Sequence, residues 1–207
     1  MSKKGVLAVI SGFSGAGKGT IVKELIKRYP EYALSVSMTT RDPRPGEEHG
    51  REYFFVSDEE FEKLIEEDGL IEHAGYCKHY YGTPRKFVDD CMQQGRDVIL
   101  EIEMQGALQV RKMFPDALLL FVTPPTATEL EKRLRGRNTE SEEVIKARLS
   151  RAYEETEYIP EYDYLLVNDD LDKCVEMTHT IIRNAHEEIS RNGEFLKDIK
   201  TQLEVYK

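Results

Sequence analysis

The sequence predicts an α/β fold in which a mainly parallel sheet, flanked by helices on both faces, carries a small inserted β-rich unit. Three observations predict it. Short apolar runs alternate with amphipathic helical stretches along most of the chain, and a Gly-rich turn joins the first such run to the first helix. The alternation then breaks between Ser35 and Tyr81 into short aromatic segments separated by turn material.

In chain order, Val6 to Ser11 reads as a buried strand, and Ile21 to Tyr29 sets Ile21, Val22, Leu25 and Ile26 on one helical face before Pro30. Glu52 to Val56 and Leu70 to Ala74 read as strands of the inserted unit, with a turn over Asp42 to Gly50. The capping box Ser57-Asp-Glu-Glu60 announces a helix closed at Asp68-Gly69, and a second runs from Pro84, with Thr83 as N-cap, to Gly95. Asp97 to Ile102 and Ala117 to Val122 are strands around a helix over Gln105 to Phe114, and Met104, Met113 and the apolar face of that helix read as core. Arg133 to Ser141 is polar, basic and Gly-containing, which predicts an exposed mobile loop. Tyr164 to Val167 is a last strand, Asp172 to Arg191 a last long helix, and Asn192 to Lys207 a solvated helix or a frayed end. This predicts one domain over 1–207: a core of 1–34 and 94–207, an insertion of 35–93, and a lid over 129–145.

Composition narrows the function classes. A chain of 207 residues buries roughly 70% of its unfolded surface and needs no covalent staple. Cys77, Cys91 and Cys174 are odd in number and far apart, which suggests neither a disulfide framework nor a zinc site and fits a reducing cytosol. The longest apolar runs fall well short of the roughly 20 residues of a membrane-spanning helix, and the N-terminus lacks a signal-peptide stretch, so a cytoplasmic protein without a membrane partner is expected. A formal charge of -10 argues against nucleic-acid binding, so any phosphate must be captured by a local cluster of cations. Oligomeric state is not deducible from the sequence.

Gly12-Phe13-Ser14-Gly15-Ala16-Gly17-Lys18 matches the first seven positions of G-x-x-x-x-G-K-[ST], directly after the first strand and opening a helix. In such a loop backbone N–H groups wrap a nucleotide's phosphates and the lysine reaches the outer ones. Gly19 stands where a hydroxyl would ligate Mg²⁺, with Thr20 one residue later, so no protein ligand is assigned and the metal is expected on ATP oxygens and water.

Two prolines and two glycines fix the turn that holds Arg41 and Arg44 three residues apart, which suits an anion clamp; a solvated basic turn is the alternative. Beside a phosphate loop the clamp gains weight. At about 4 Å each pair of unit charges repels by roughly 1 kcal/mol in water and about 4 kcal/mol at an effective dielectric of about 20, so apposing two phosphates demands several fixed cations. Arg133, Arg137 and Arg148 form a second basic group, with Arg135 also available; helix-surface charge is the alternative for all four.

Taken together the motifs resemble guanylate kinase. They run in order through the phosphate loop, Ser37-Met-Thr-Thr-Arg-Asp-Pro-Arg44, Gly50-Arg-Glu-Tyr-Phe-Phe-Val56, Tyr80-Tyr-Gly-Thr83, Glu101-Ile-Glu-Met-Gln-Gly106, Arg133-Leu-Arg-Gly-Arg137 and Val167-Asn-Asp-Asp170. The resemblance implies phosphorylation of GMP, and of dGMP, by ATP with Mg²⁺ in purine nucleotide metabolism. It makes 35–93 the GMP-binding part, with Arg41, Arg44, Tyr53 and Tyr81 on the phosphate and Ser37, Glu72 and Thr83 on the guanine, Glu101 nearby. It sets Asn168 against the adenine and makes Lys18, Arg41, Arg137 and Arg148 the catalytic cations, with Arg133 also on ATP. One carboxylate at Glu72 accepts from the adjacent N1–H and N2–H₂ of guanine, a pair adenine lacks; without the resemblance Glu72 reads as a solvent-facing strand residue. Glu101 and Glu103 read as an i, i+2 pair on one face of a strand end, Glu103 supporting a metal-bound water or ordering the loop. The histidines have no metal-ligand spacing. The rival readings are a kinase for another monophosphate and a non-catalytic peptide-binding module.

Overall fold

The computed structural model describes residues 4–76, 78–136 and 141–207. β1 (Leu7–Gly12) is buried throughout and leads through the Gly-rich turn into α1 (Lys18–Arg28). Short strands β2 (Ala33–Leu34), β3 (Met38–Thr39) and β4 (Phe54–Phe55) precede α2 (Asp58–Glu66), the hairpin β5 (Leu70–Tyr76) and β6 (His79–Pro84), and α3 (Arg85–Gln93). Then come β7 (Val98–Glu101), α4 (Met104–Met113), β8 (Leu118–Thr123), α5 (Ala127–Arg135) and α6 (Glu142–Glu155). β9 (Tyr164–Val167), α7 (Leu171–Ala185) and α8 (Gly193–Leu203) complete the chain.

The first sheet has the order β2-β7-β1-β8-β9 with every pair parallel. Alternation of side chains along its strands splits the core in two. Val6, Ala8 and Ile10 pack with Ile21, Leu25, Leu130, Leu134, Ile145, Val175 and Ile182 on the α1, α5, α6 and α7 side. Leu7 and Val9 pack with Val88, Met92, Ala107 and Val110 on the α3 and α4 side. Connections therefore leave the central β1 toward both edges, and the crevice at the carboxyl end of such a strand is where this class of sheet takes its ligand.

The second sheet, β4-β3-β6-β5, is antiparallel except for the β3–β4 pair. The predicted capping box forms: the Ser57 hydroxyl accepts from Glu60 N at 3.1 Å, and the Glu60 carboxylate accepts from Ser57 N at 2.9 Å. That fixes the entry of α2 so that Phe61 is driven fully into the interior.

Several boundaries differ from the sequence reading for local reasons. Thr83 is not the N-cap of α3; Pro84 is, without a side-chain cap, because Thr83 lies inside β6 with its hydroxyl spent on Glu72. Within the expected Asp68-Gly69 close of α2, the left-handed residue is Asp68, φ 53°. Glu103 is not a strand residue paired with Glu101 but the N-cap of α4. The last long helix stops at Ala185 instead of Arg191, where the Asn192 side chain donates to the carbonyls of His186 and Glu188. Met113 is not core: it is exposed, its sulfur 2.8 Å from Arg85 Nη2. The described residues contain no helix long and apolar enough to cross a membrane.

Candidate functional site

The turn after β1 is a cradle because only glycine fits its tightest point. A Cβ on Gly12, φ +143°, would lie 2.1 Å from the Val122 carbonyl oxygen of β8. Gly17, φ 97°, stands at the N-cap of α1, and no side chain caps the helix, so its first-turn amides and the positive end of its dipole face the crevice. Lys18 is nearly buried; its ammonium donates to Gly12 O at 2.7 Å and lies 3.6 Å from Glu103. The loop is held from behind. Asn168 Nδ2 donates to Ala16 O at 2.8 Å, and Arg133 donates to Ala16 O at 3.3 Å and to Asn168 O at 2.9 Å. Arg148 Nη1 donates to the Ser14 hydroxyl, which brings α6 onto the loop.

The second sheet presents a complementary face. Met38 pairs with Gly82 and Thr39 with Tyr81, so the same register carried one residue further sets Ser37 opposite Thr83. Thr83 in turn donates to Glu72 Oε1 at 2.6 Å, which makes a row of Ser37, just before β3, Thr83 of β6 and Glu72 of β5. Tyr81, two residues from Thr83, shares that face. The Tyr81 ring meets Tyr53 edge-on at 5.9 Å, and the Arg41 guanidinium lies 5.2 Å from the Tyr53 ring centre and 5.7 Å from that of Phe55. Glu72 is 6% exposed, so the solvent-facing alternative is wrong; burial raises its carboxyl above the ordinary range, opposed by the Thr83 hydrogen bond.

Glu101 joins the two faces. It ends β7 beside the loop, its Oε1 3.2 Å from where a Cβ on Gly19 would stand. Desolvation raises its carboxyl although its residue remains open to the crevice, with Lys18 lowering it and Glu103 raising it. The Tyr53 hydroxyl is likewise raised, by burial first, then Tyr81, with Glu101 and Glu47 adding to it against Arg41. Glu101 is thus within electrostatic reach of Lys18 in the first sheet's loop and of Tyr53 in the second sheet's turn.

Other expected residues are placed less simply. Arg41 is not idle: it makes a bidentate pair with Glu47, 2.7 Å in each arm, and Glu47 also accepts from Arg44 N at 2.8 Å. The Arg41 guanidinium holds the Glu47 carboxyl at about 2. The sequence reading passed over Glu47; its spacing from Arg44, three residues on in a proline-bounded turn, was the available signal. Arg44 is exposed. The amide nitrogen of Asn168 donates to the loop at Ala16 O. Arg135 is spent on Glu131 and Glu142. Arg137 lies outside the described residues, as does part of the predicted 129–145 lid.

A sequence profile described as guanylate kinase matches residues 4–185. The chain belongs to the guanylate kinase family. It is 47% identical to a guanylate kinase of Caldanaerobacter subterraneus subsp. tengcongensis over 202 residues, 98% of each chain. It is 52% identical over 178 residues to that of Desulfitobacterium hafniense, covering 86% of this chain and 89% of the relative. Among solved structures, guanylate kinase from Anaplasma phagocytophilum superposes with a TM-score of 0.75 at 31% identity, covering 92% of this chain and 90% of that one. This guanylate kinase family member thus shares its architecture and nearly its whole length with these relatives.

Proposed function

We propose that the chain transfers the γ-phosphoryl group of ATP to GMP, and to dGMP, which carries the same base and phosphate, giving the diphosphate and ADP. The observation that carries this reading is the buried Glu72–Thr83 pair, on the sheet face that also bears Tyr81 beside Tyr53 and Arg41. A carboxylate already desolvated and held by a hydroxyl offers acceptors to the N1–H and N2–H₂ edge of guanine. Ser37 lies in the same row. Arg41, Arg44 and the hydroxyls of Tyr53 and Tyr81 then hold the acceptor's phosphate, while the Gly12–Thr20 cradle holds the triphosphate.

Transfer between two phosphates needs no general base, because the attacking oxygen is already anionic at neutral pH. Catalysis is positioning and charge stabilisation. Lys18 leaves Glu103 for the transferring group; Arg148, beside Ser14, reaches the same region from α6. Arg133 and Asn168 act by bracing the Ala16 carbonyl and so the shape of the loop. Magnesium fits as an ion brought with ATP and bound by its oxygens and water: Gly19 offers no hydroxyl, while the Glu101 and Glu103 carboxylates flank Lys18 and can accept from metal-bound water. When bound it spreads the charge of the phosphates. Residues 35–93, as a GMP-binding unit, and the lid over 129–145 close over both nucleotides to exclude water. Equal radii of gyration by X-ray scattering with and without a bisubstrate ligand would refute the closure.

The reading is tested by a coupled assay of GMP, dGMP, AMP, CMP and UMP as acceptors. GMP should have the highest kcat/KM; any other monophosphate leading would overturn the choice of acceptor, and no turnover at all would favour a binding module. The cytoplasm is the proposed location, since ATP and GMP are met there.

A further inference from the structure

We infer that Gly106 and Gln109 of α4 are specificity-determining positioning residues, which set the place of the Glu72 carboxylate; the inference rests on the guanine-reading role proposed for Glu72. The first observation is a glycine with no backbone reason to be there. Gly106 is the third residue of α4, in its first turn, and is not among the chain's positive-φ glycines, so its backbone would accept an alanine. A Cβ at that position would lie 2.5 Å from Glu72 Oε2, 3.0 Å from Cδ and 3.3 Å from Cγ. The missing methyl is the space the carboxylate occupies. The clash falls on the outer end of a side chain and not on backbone, so an alanine there displaces the carboxylate while leaving the fold intact.

The second observation is independent. One turn further along α4, the Gln109 amide donates to His73 O at 2.9 Å and accepts from His73 N at 3.1 Å. β5 is the outer strand of its sheet, and this side chain pairs its free edge as a neighbouring strand would, at the residue after Glu72. Gln109 therefore fixes the height of β5 against α4, Gly106 fixes the lateral distance, and Thr83 fixes the rotation of the carboxylate. The base-reading carboxylate is thus registered to the helix that starts beside Glu101 and Glu103, at the phosphate cradle.

The test compares wild type, Gly106→Ala and Gln109→Leu with GMP and inosine monophosphate, which differs only by lacking the 2-amino group. Wild type should prefer GMP. In Gly106→Ala the ratio of kcat/KM for GMP over that for inosine monophosphate should fall by about tenfold, the loss of one hydrogen bond to a charged acceptor. It should fall less in Gln109→Leu, with the KM for ATP and the melting temperature near wild type in both. Equal losses for the two acceptors, or an unchanged ratio, would overturn the positioning role. A wild type without preference for GMP would instead overturn the reading of Glu72 itself.

Discussion

Replacing Glu72 by Gln keeps the shape of the side chain and removes its charge. The carboxylate is buried and held at 2.6 Å by Thr83, so solvent cannot substitute for it. A hydrogen bond to a charged group is worth about 1.5–3 kcal/mol. Glutamine keeps one acceptor but turns an NH₂ toward a guanine donor, so the expected loss is about 3 kcal/mol, or roughly two orders of magnitude in kcat/KM for GMP. The KM for ATP should not move. Stability should respond with the opposite sign. Burial raises the folded carboxyl above its unfolded value of 4.5, so its contribution is fully present below that pH and is lost as pH rises through the folded value. Glutamine has no such loss. Melting curves should show Glu72→Gln at least as stable as wild type at neutral pH, the gap closing on acidification toward pH 4.5. Retention of GMP kcat/KM within about threefold, which is under 1 kcal/mol, would refute the reasoning.

Other perturbations separate the two halves of the crevice. Lys18→Ala removes the cation bonded to Gly12 O, and kcat should fall by about 10²–10³ while the calorimetric Kd for GMP stays near wild type. Glu47→Gln removes the carboxylate that occupies Arg41, so the KM for GMP should fall, equally at pH 6 and pH 9 because that carboxyl is held at about 2. A higher KM would mean that Glu47 positions Arg41 and does not compete for its ligand. Phe121→Ala empties a fully buried site that meets Phe13 at 4.9 Å and Tyr162 at 5.1 Å. It should cost about 3–5 kcal/mol and lower the melting temperature by roughly 10 °C, read by calorimetry.

What the sequence disclosed depended on how local the cause was. The cradle was legible because its glycines, its lysine and the strand before it lie within a dozen residues, and the α2 capping box because its two partners are three apart. Thr83 was misassigned at the helix start because threonine before proline is a good local N-cap, whereas its partner Glu72 is eleven residues away across a hairpin. Glu103 was given to a strand because β7 stops one pair earlier than the alternation implies. Gly106 and Gln109 gave no local signal: one acts by absence of a methyl and the other by pairing a strand edge 36 residues distant.

Lys18 and Arg41 both carry internal partners, and this makes affinity a difference between partners. Lys18 faces Glu103, which is 59% exposed, so that pair is weak and readily exchanged for a phosphate. Arg41 and Glu47 are only 10% and 18% exposed and meet in bidentate geometry, the strongest form of such a pair. On the proposed roles an acceptor phosphate would displace Glu47 from Arg41, whereas a donor triphosphate would meet a cradle of amides and a lysine held by Gly12 O and an open carboxylate. The energetic sensitivity of the site should consequently lie on the acceptor side, with changes around Arg41 and Glu47 moving GMP binding and leaving ATP binding alone.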